Sequence, residues 1–342
     1  MNTALKRTIH PLLALLTIML VLSASIPASA AGQNDSNTYC SKYITVEGKK
    51  MHIALYGDMN QTATEDSFAN QNKTTLVMLP ALGVPSPHLY FKPLAQALDT
   101  NFNVVIIEPL GYGLSDVAST ARSVENINRE LNKALEILDI NECVLLTHSI
   151  SGVYGLNFVL AHPENVKGFI AIDNTIYDDA MQSELAMEQE YMLNEAQQFD
   201  ELRASFPSIE AFQAALTADP VTYGATLPQI TGYTYPESDM EEYIQAYSLS
   251  SNESIRNEIT QMDKSLLTIK GKKFPDSLPV LTMICSTNAE NVPAWRTGHI
   301  NQLNLESGNH ELYTLDGSHY IWYTNLSGIV EHINVWKAKH NF

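Results

Sequence analysis

Cysteine, basic residues and long apolar runs are all scarce in this sequence. Its three cysteines in 342 residues are too few, and odd in number, for a disulfide framework. The 38 acidic residues outnumber the 20 basic ones, and the net charge of −18 argues against nucleic acid or an anionic membrane surface as a partner. No segment after residue 22 is apolar enough to cross a membrane. Metal-ligating clusters, a Gly-rich phosphate loop and a flavin fingerprint are also lacking, so we expect neither a metal nor a cofactor.

The single long apolar run lies near the N-terminus and is typical of an export signal. Lys6 and Arg7 precede the apolar residues 12–22, and Ala28-Ser29-Ala30 then supplies the small residues of a cleavage site. We predict that residues 1–30 are a signal peptide, so the protein is secreted or extracytoplasmic and keeps no stable membrane anchor after cleavage. An uncleaved signal anchor is the alternative, because the apolar run is nearly long enough to span a bilayer.

Two kinds of apolar periodicity predict the fold of the remaining chain. After a polar stretch, residues 31–41, which is predicted to be a disordered leader, residues 42–57 alternate apolar and polar side chains around a glycine, as a β-hairpin does. From residue 75, short apolar runs without such alternation are separated by helical patterns, of which residues 122–140 are the clearest. Runs of this kind are typical of parallel strands covered on both faces, and they lie at Leu76–Leu79, Val104–Ile107, Val144–Leu146, Phe169–Ile172 and Val280–Ile284. The sequence therefore predicts a doubly wound α/β domain.

This pattern is interrupted once, by a predicted helical insertion at residues 177–273. The insertion follows Asp173, and its first helix has one apolar face and acidic side chains on the others. The acidic faces indicate either a solvated surface or a lid that disfavours anionic substrates. Because the α/β pattern resumes near Pro275, we predict a core built from residues 42–176 and 274–342, with a helical cap between the two parts.

A serine between small residues marks the most informative turn of the sequence. The apolar run of residues 144–146 ends at Thr147-His148-Ser149-Ile150-Ser151-Gly152, and a helix-like stretch follows. A strand that turns sharply into a helix, with serine at the turn, is the setting of a nucleophile elbow. The elbow accepts only small side chains two residues before and after the serine, and Thr147 and Ser151 stand there in place of the usual glycines. This pattern also occurs at ordinary strand ends.

Three motifs in order resemble those of the α/β-hydrolase fold family, and in particular serine hydrolases with a helical cap domain. They are residues 102–116 (FNVVIIEPLGYGLSD), similar to the signature after the fourth strand; the turn at residues 147–152; and Leu315-Asp316-Gly317-Ser318-His319-Tyr320, similar to the loop that carries the catalytic histidine. The resemblance covers residues 42–342. It implies a doubly wound, mostly parallel sheet of eight strands, with the cap inserted after the sixth strand.

The resemblance also implies catalytic roles. Ser149 corresponds to the nucleophile and His319 to the base that activates it, in the chain order that this fold uses. The backbone N–H groups of Ile150 and Leu82 correspond to the oxyanion hole, which stabilises the charge that develops on the attacked carbonyl. Pro80-Ala81 departs from the His-Gly usual in the loop that carries Leu82.

The acid that orients His319 is less clear in the sequence. The family usually places an aspartate a few residues after the seventh strand, but residues 285–293 contain no aspartate. Glu290 is the only carboxylate there and is the favoured acid. Asp173, at the tip of the predicted sixth strand, is the alternative.

We therefore expect a secreted serine hydrolase that acts through an acyl-enzyme on a small-molecule substrate, a carboxylic ester or a small amide. The same residues would serve a C–C bond hydrolase or a peptidase, because the fold does not choose among these reactions. A binding module that kept the fold but lost the acid is the non-catalytic alternative.

Overall fold

A computed structural model describes residues 39–58, 73–292 and 294–342 of the chain. The predicted signal peptide, residues 1–30, therefore lies outside the described residues, as do residues 31–38 of the predicted leader. Within the described ranges, no helix is both long and apolar enough to cross a bilayer.

The first strand begins earlier than the sequence predicts. β1 (Tyr39–Val46) pairs antiparallel with β2 (Lys49–Tyr56), and Tyr39 lies opposite Tyr56. The prediction that a disordered leader extends to residue 41 is wrong, because residues 39–41 belong to β1. Tyr39 stacks on the ring of Tyr56 at 5.4 Å, and its hydroxyl donates to Glu242 at 3.2 Å. The contact with Glu242 joins segments that are distant in sequence, so no local pattern reveals it.

Eight strands form one mostly parallel sheet, which confirms the predicted fold class. The strands follow in the spatial order β1-β2-β4-β3-β5-β6-β7-β8. β2 is antiparallel to β1 and to β4, and every other neighbouring pair is parallel. The remaining strands are β3 (Thr75–Leu79), β4 (Asn103–Ile107), β5 (Cys143–His148), β6 (Val166–Ile172), β7 (Val280–Cys285) and β8 (His310–Leu315). The strand order reverses between β3 and β5, and ligands of open α/β sheets bind beyond the carboxyl ends of the strands at such a point.

Helices cover both faces of the sheet and enclose two buried apolar layers. α1 (Pro87–Leu98) contributes to one layer, and α2 (Val124–Ile137) and α3 (Ser151–Ala161) contribute to the other. The predicted helix at residues 122–140 is confirmed over the shorter range of α2, which the side chain of Ser123 caps by accepting from Asn126 N at 3.4 Å.

A group of helices lies between β6 and β7, where the sequence predicts the cap. It comprises a 3₁₀ turn (Asp179–Met181), α4 (Gln182–Ala204), α5 (Ile209–Ala218), α6 (Ser238–Leu249) and α7 (Glu253–Leu267). α5 and α6 share a small apolar core of their own, whereas the buried side of α7 joins the layer beneath α2 and α3. α7 therefore connects the cap helices to the sheet.

The chain returns to the sheet after the cap and ends in a long helix. α8 (Ser286–Asn291) and α9 (Trp295–Asn301) follow β7, a 3₁₀ turn (Leu305–Ser307) precedes β8, and α10 (Ile321–His340) follows β8. α10 packs beside α1 on the same face of the sheet, with Trp322 and Trp336 fully buried.

Candidate active site

The turn between β5 and α3 has the backbone of a nucleophile elbow. Ser149 is fully buried and has a φ of 58°, in the left-handed region that non-glycine residues rarely adopt. Its carbonyl accepts from Thr175 N at 2.9 Å, which ties the turn to the end of the neighbouring strand β6. The hydroxyl oxygen of Ser149 is buried and has no hydrogen-bond partner among the described residues. A strained turn thus holds an unpaired hydroxyl at the carboxyl end of the sheet.

The residues two positions before and after Ser149 both have hydrogen-bonded hydroxyl groups, although neither residue is the usual glycine. Ser151 donates a short hydrogen bond to the carbonyl of Pro80, and Thr147 Oγ1 accepts from Asn174 Nδ2 at 2.8 Å. A side chain does not fit at Gly152, the residue after Ser151, because a Cβ there would lie 2.4 Å from the side chain of Asn174. The hydroxyls at 147 and 151 therefore fit the elbow, and Ser151 also links it to the loop that follows β3.

His319 lies in the loop after β8 with one ring nitrogen bonded and the other unpaired. Its Nδ1 is 2.7 Å from Asp173 Oδ2, and its Nε2 is buried without a partner in the described part of the chain. Because a carboxylate can only accept, Nδ1 carries the proton and Nε2 carries the lone pair when the ring is neutral. The free lone pair is what a base needs to take a proton from a serine.

The carboxylate behind His319 is Asp173, and the preference for Glu290 is wrong. Glu290 lies on α8 with its side chain exposed, and no contact with His319 is present among the described residues. Asp173 follows β6 directly with a φ of 44° and is completely buried. The strained backbone at both Asp173 and Ser149 is typical of functional positions.

The segment expected to supply the acid instead supplies donors to Asp173. Oδ1 accepts from Cys285 N at 2.9 Å and from Trp295 Nε1 at 2.8 Å. Oδ2 accepts from Asn288 Nδ2 at 2.7 Å, and the thiol of Cys285 lies 3.2 Å from the same oxygen. The polar residues after β7 thus still mark the site in the sequence, although none of them is the acid.

These donors keep Asp173 ionised. Burial by itself would raise the pKa of Asp173, but the hydrogen bond and charge of His319, together with the N–H donors of Cys285 and Trp295, outweigh burial and lower it. Burial likewise raises the pKa of the Cys285 thiol, so Cys285 stays protonated and can donate. Cys285 is therefore more than the small core residue that its apolar strand suggests.

His148, beside the candidate nucleophile, holds the loop that carries His319. Its Nε2 donates to the carbonyl of His319 at 2.9 Å, and its Nδ1 accepts from the Tyr90 hydroxyl at 2.6 Å. Burial and then the neighbouring His319 lower the pKa of His148 well below its usual value, so the ring is neutral. Sequence reasoning assigned no role to His148, and the structure indicates a positioning one.

The two backbone amides predicted for an oxyanion hole lie beside Ser149 and after β3. Within the described residues, neither the N–H of Ile150 nor that of Leu82 donates a hydrogen bond. The hydrogen bond from Ser151 to Pro80 holds the loop of Leu82 near the elbow, despite the unusual Pro80-Ala81.

The described residues contain no group of His, Cys, Asp or Glu side chains arranged to hold a metal ion.

A cavity of about 50 Å³ adjoins this site between the core and the cap. Leu82 and Tyr320, the residue after His319, are part of its wall, and α6 contributes from the cap. Five of its ten lining residues are tyrosines: Tyr90, Tyr243, Tyr247, Tyr320 and Tyr323. Trp295 and Trp322 are buried and do not line this cavity.

Comparison with known proteins identifies the family of this chain. A sequence profile of the alpha/beta hydrolase fold matches residues 74–281, more than half of the chain. The chain therefore belongs to the α/β-hydrolase fold family.

Relatives with curated sequences match only in part. The uncharacterized protein YbdG of Bacillus subtilis is 25% identical over 131 residues, which are 38% of this chain and 36% of that protein. The match thus spans little more than a third of that relative's length.

Solved structures match over nearly their full lengths. Cfl2 from Burkholderia cenocepacia has a TM-score of 0.60 at 15% identity, covering 87% of this chain and 96% of that chain. The epoxide hydrolase VrEH1 from Vigna radiata has a TM-score of 0.61 at 14% identity, covering 90% and 100%. At these identities the likeness concerns the fold.

Proposed function

We propose that this protein is a secreted serine hydrolase that acts through an acyl-enzyme on a carboxylic ester or a small amide. The observation that carries the proposal is the pair of unpaired buried atoms, Ser149 Oγ and His319 Nε2, in an α/β-hydrolase fold. Asp173 supports it, because this carboxylate holds the Nδ1 proton of His319. An unpaired buried hydroxyl costs about 1–3 kcal/mol, and such a cost is typical of a group whose partner is a substrate.

The reaction follows from these positions. His319 Nε2 takes the proton of Ser149 as Oγ attacks the substrate carbonyl, and the N–H groups of Ile150 and Leu82 bind the oxyanion that forms. Asp173 stabilises the charged imidazole without taking its proton. The tetrahedral intermediate expels an alcohol or amine, which receives the proton from His319. Water then repeats the sequence on the acyl-enzyme and releases the carboxylic acid.

A serine nucleophile favours acyl transfer over epoxide hydrolysis, the reaction in the name of VrEH1. Attack of Ser149 Oγ on an epoxide carbon would join the enzyme and substrate through an ether, which water does not cleave under mild conditions. Attack on a carbonyl carbon gives an ester, which activated water hydrolyses. The serine therefore favours carboxylic esters and amides among the substrates of this fold.

Labelling with a fluorophosphonate probe tests the proposal directly. We expect the wild-type protein to be labelled and to hydrolyse p-nitrophenyl acetate or butyrate, and we expect Ser149→Ala and His319→Ala to lose both properties. Equal labelling of the wild type and Ser149→Ala would exclude Ser149 as the nucleophile. The absence of both labelling and turnover in the wild type would favour a binding module.

The location of the protein has a separate test. Expression of the full chain, followed by N-terminal sequencing of exported protein, should show a start at Ala31 if residues 1–30 are a cleaved signal peptide. A membrane-bound product that retains residues 1–30 would instead show a signal anchor.

A further inference from the structure

The tyrosine-lined cavity beside the active site is small and carries no charge. We call it the tyrosine pocket; its wall comprises Leu82, Gly83, Val84, Pro85, Tyr90, Gly224, Tyr243, Tyr247, Tyr320 and Tyr323. None of these side chains is ionised at neutral pH. A water molecule needs about 10–15 Å³ of such space, so the pocket of about 50 Å³ holds a group of a few heavy atoms. It therefore suits a short, uncharged acyl chain.

Two of the five tyrosine hydroxyls in this wall are hydrogen-bonded to other groups of the described chain. The Tyr90 hydroxyl donates to His148 Nδ1 at 2.6 Å, and the Tyr247 hydroxyl donates to the Tyr223 carbonyl at 2.8 Å. Tyr323 differs, because its hydroxyl is buried and has no partner among the described residues. Burial, and then the neighbouring tyrosines, raise the pKa of Tyr323 well above its usual value, so the hydroxyl keeps its proton.

The ring of Tyr323 is also held in place. It stacks on Tyr320 with ring centroids 5.1 Å apart and an angle of 16° between the planes. Its backbone carbonyl accepts from Thr231 of the cap at 2.7 Å. A fixed ring with an unpaired hydroxyl is a preorganised hydrogen-bonding group. A buried group of this kind discriminates strongly between ligands that can bond to it and those that cannot.

We propose that Tyr323 is a specificity-determining residue whose hydroxyl hydrogen-bonds an oxygen atom in the acyl chain of the substrate. The preferred substrates are then esters of short hydroxy, alkoxy or oxo acids rather than of plain alkanoic acids. This inference rests on the proposed esterase activity. It adds a substrate class that neither Ser149 nor His319 determines.

Two isosteric esters test the proposal. p-Nitrophenyl methoxyacetate and p-nitrophenyl butyrate have acyl chains of equal length, and only the first has an ether oxygen. The ratio of kcat/KM for the two esters is measured in wild type and in Tyr323→Phe, so that their different intrinsic reactivities cancel. We expect the ratio, methoxyacetate over butyrate, to fall about tenfold in Tyr323→Phe, as loss of one hydrogen bond predicts. Tyr235→Phe is the matched control, since the Tyr235 hydroxyl donates to the carbonyl of Leu89 at 2.8 Å and Tyr235 is not part of the pocket wall, so its ratio should equal that of the wild type.

Thermal unfolding gives a second readout that does not depend on turnover. Removing an unpaired buried hydroxyl should leave the Tm of Tyr323→Phe equal to or above that of the wild type. An unchanged ratio in Tyr323→Phe, or a fall in its Tm, would overturn the role of Tyr323 while leaving the esterase proposal intact. Failure of the wild type to hydrolyse either ester would overturn both.

Discussion

Two serine–histidine–carboxylate sets lie on the same sheet, and they differ in what surrounds them. The elbow set comprises Ser149, His319 and Asp173, and the hairpin set comprises Ser41, His52 and Glu108. In the hairpin set, Ser41 Oγ is 2.6 Å from His52 Nε2, and His52 Nδ1 is 2.9 Å from Glu108 Oε2. Composition and spacing alone would therefore describe both sets as triads.

The backbone conformation around the serine distinguishes the two sets. Ser149 stands at a strained turn at the carboxyl end of β5, beside amides that have no acceptor among the described residues. Ser41 lies within β1, an edge strand, with an exposed side chain and regular antiparallel pairing to Ala54. An extended strand directs no free N–H groups at a carbonyl that its own serine attacks. Among the described residues, the hairpin set thus lacks amides placed like those that we propose as the oxyanion hole at the elbow.

The histidines differ as well. His319 makes an aligned hydrogen bond to Asp173 and keeps Nε2 free, whereas His52 lies close to Glu108 but out of line for a hydrogen bond. Burial by itself would lower the pKa of His52, but the adjacent Glu108 carboxylate and the charge of Glu242 together outweigh burial and raise the pKa. A protonated imidazole cannot accept a proton from serine. A triad is therefore defined by the roles that its surroundings allow.

Removing the carboxylate from each set should give the largest contrast. Asp173→Asn offers an amide donor to His319 and favours the wrong tautomer, so we expect kcat for an activated ester to fall about 10³–10⁴-fold. Glu108→Gln should change kcat per folded molecule by less than about threefold, because Glu108 has no contact with the elbow set among the described residues. Steady-state kinetics with p-nitrophenyl butyrate measures both.

Glu290→Gln is the control for Asp173→Asn. This variant removes the other carboxylate considered for the acid. Because the Glu290 side chain is exposed, we expect kcat to be unchanged. A large loss in Glu290→Gln, with a small one in Asp173→Asn, would contradict the assignment. Circular dichroism spectra should show that both variants fold.

The contrast between Asp173 and Glu290 also shows how far the sequence predicts this site. Ser149 and His319 lie in local motifs, so short stretches of sequence identify them, as the apolar runs identify the central strands. Asp173 meets its partners across 112 to 146 residues of chain. A prediction from the loop after β7 therefore found the right region and the wrong residue. The early start of β1 was missed for a similar reason, since Tyr39 is held in part by Glu242, 203 residues away.

The hairpin set should contribute stability where it contributes no catalysis. Glu108 accepts from His88 N at 3.1 Å and from Leu114 N at 2.7 Å, in addition to its contact with His52. Its carboxylate is also closely packed, because a Cβ on Gly113 would lie 2.0 Å from Glu108 Oε2. We expect Glu108→Gln to lower the free energy of unfolding by about 3 kcal/mol, as breaking a buried ion pair does.

Urea unfolding of Glu108→Gln and the wild type measures this change. A variant as stable as the wild type would show that Glu108 is not needed for the hairpin. A variant that is stable but inactive would instead place Glu108 in the catalytic machinery.

The raised pKa of His52 predicts a smaller effect, which depends on pH. A group whose pKa is higher in the folded state stabilises the fold at pH values below its unfolded pKa of about 6.5, and this stabilisation is lost as the pH rises through the folded pKa. The free energy of unfolding of the wild type should therefore fall more between pH 6 and pH 9 than that of His52→Gln. Because the other titrating groups are common to both proteins, the difference between their pH profiles isolates His52. Parallel profiles would contradict the raised pKa.

The smallest effect is expected for Ser41→Ala, and it tests the comparison most directly. When His52 is protonated, its Nε2 can only donate, so the Ser41 oxygen accepts this hydrogen bond and the serine proton is not withdrawn. We expect Ser41→Ala to retain wild-type kcat and wild-type labelling by a fluorophosphonate. The variant should also keep its fold, since an exposed surface hydrogen bond adds little to stability. Mass spectrometry of the labelled wild type should place the adduct on Ser149 alone. An adduct on Ser41 in the Ser149→Ala variant would show that the hairpin set activates its serine without an oxyanion hole, and that the backbone surroundings do not decide between the two sets.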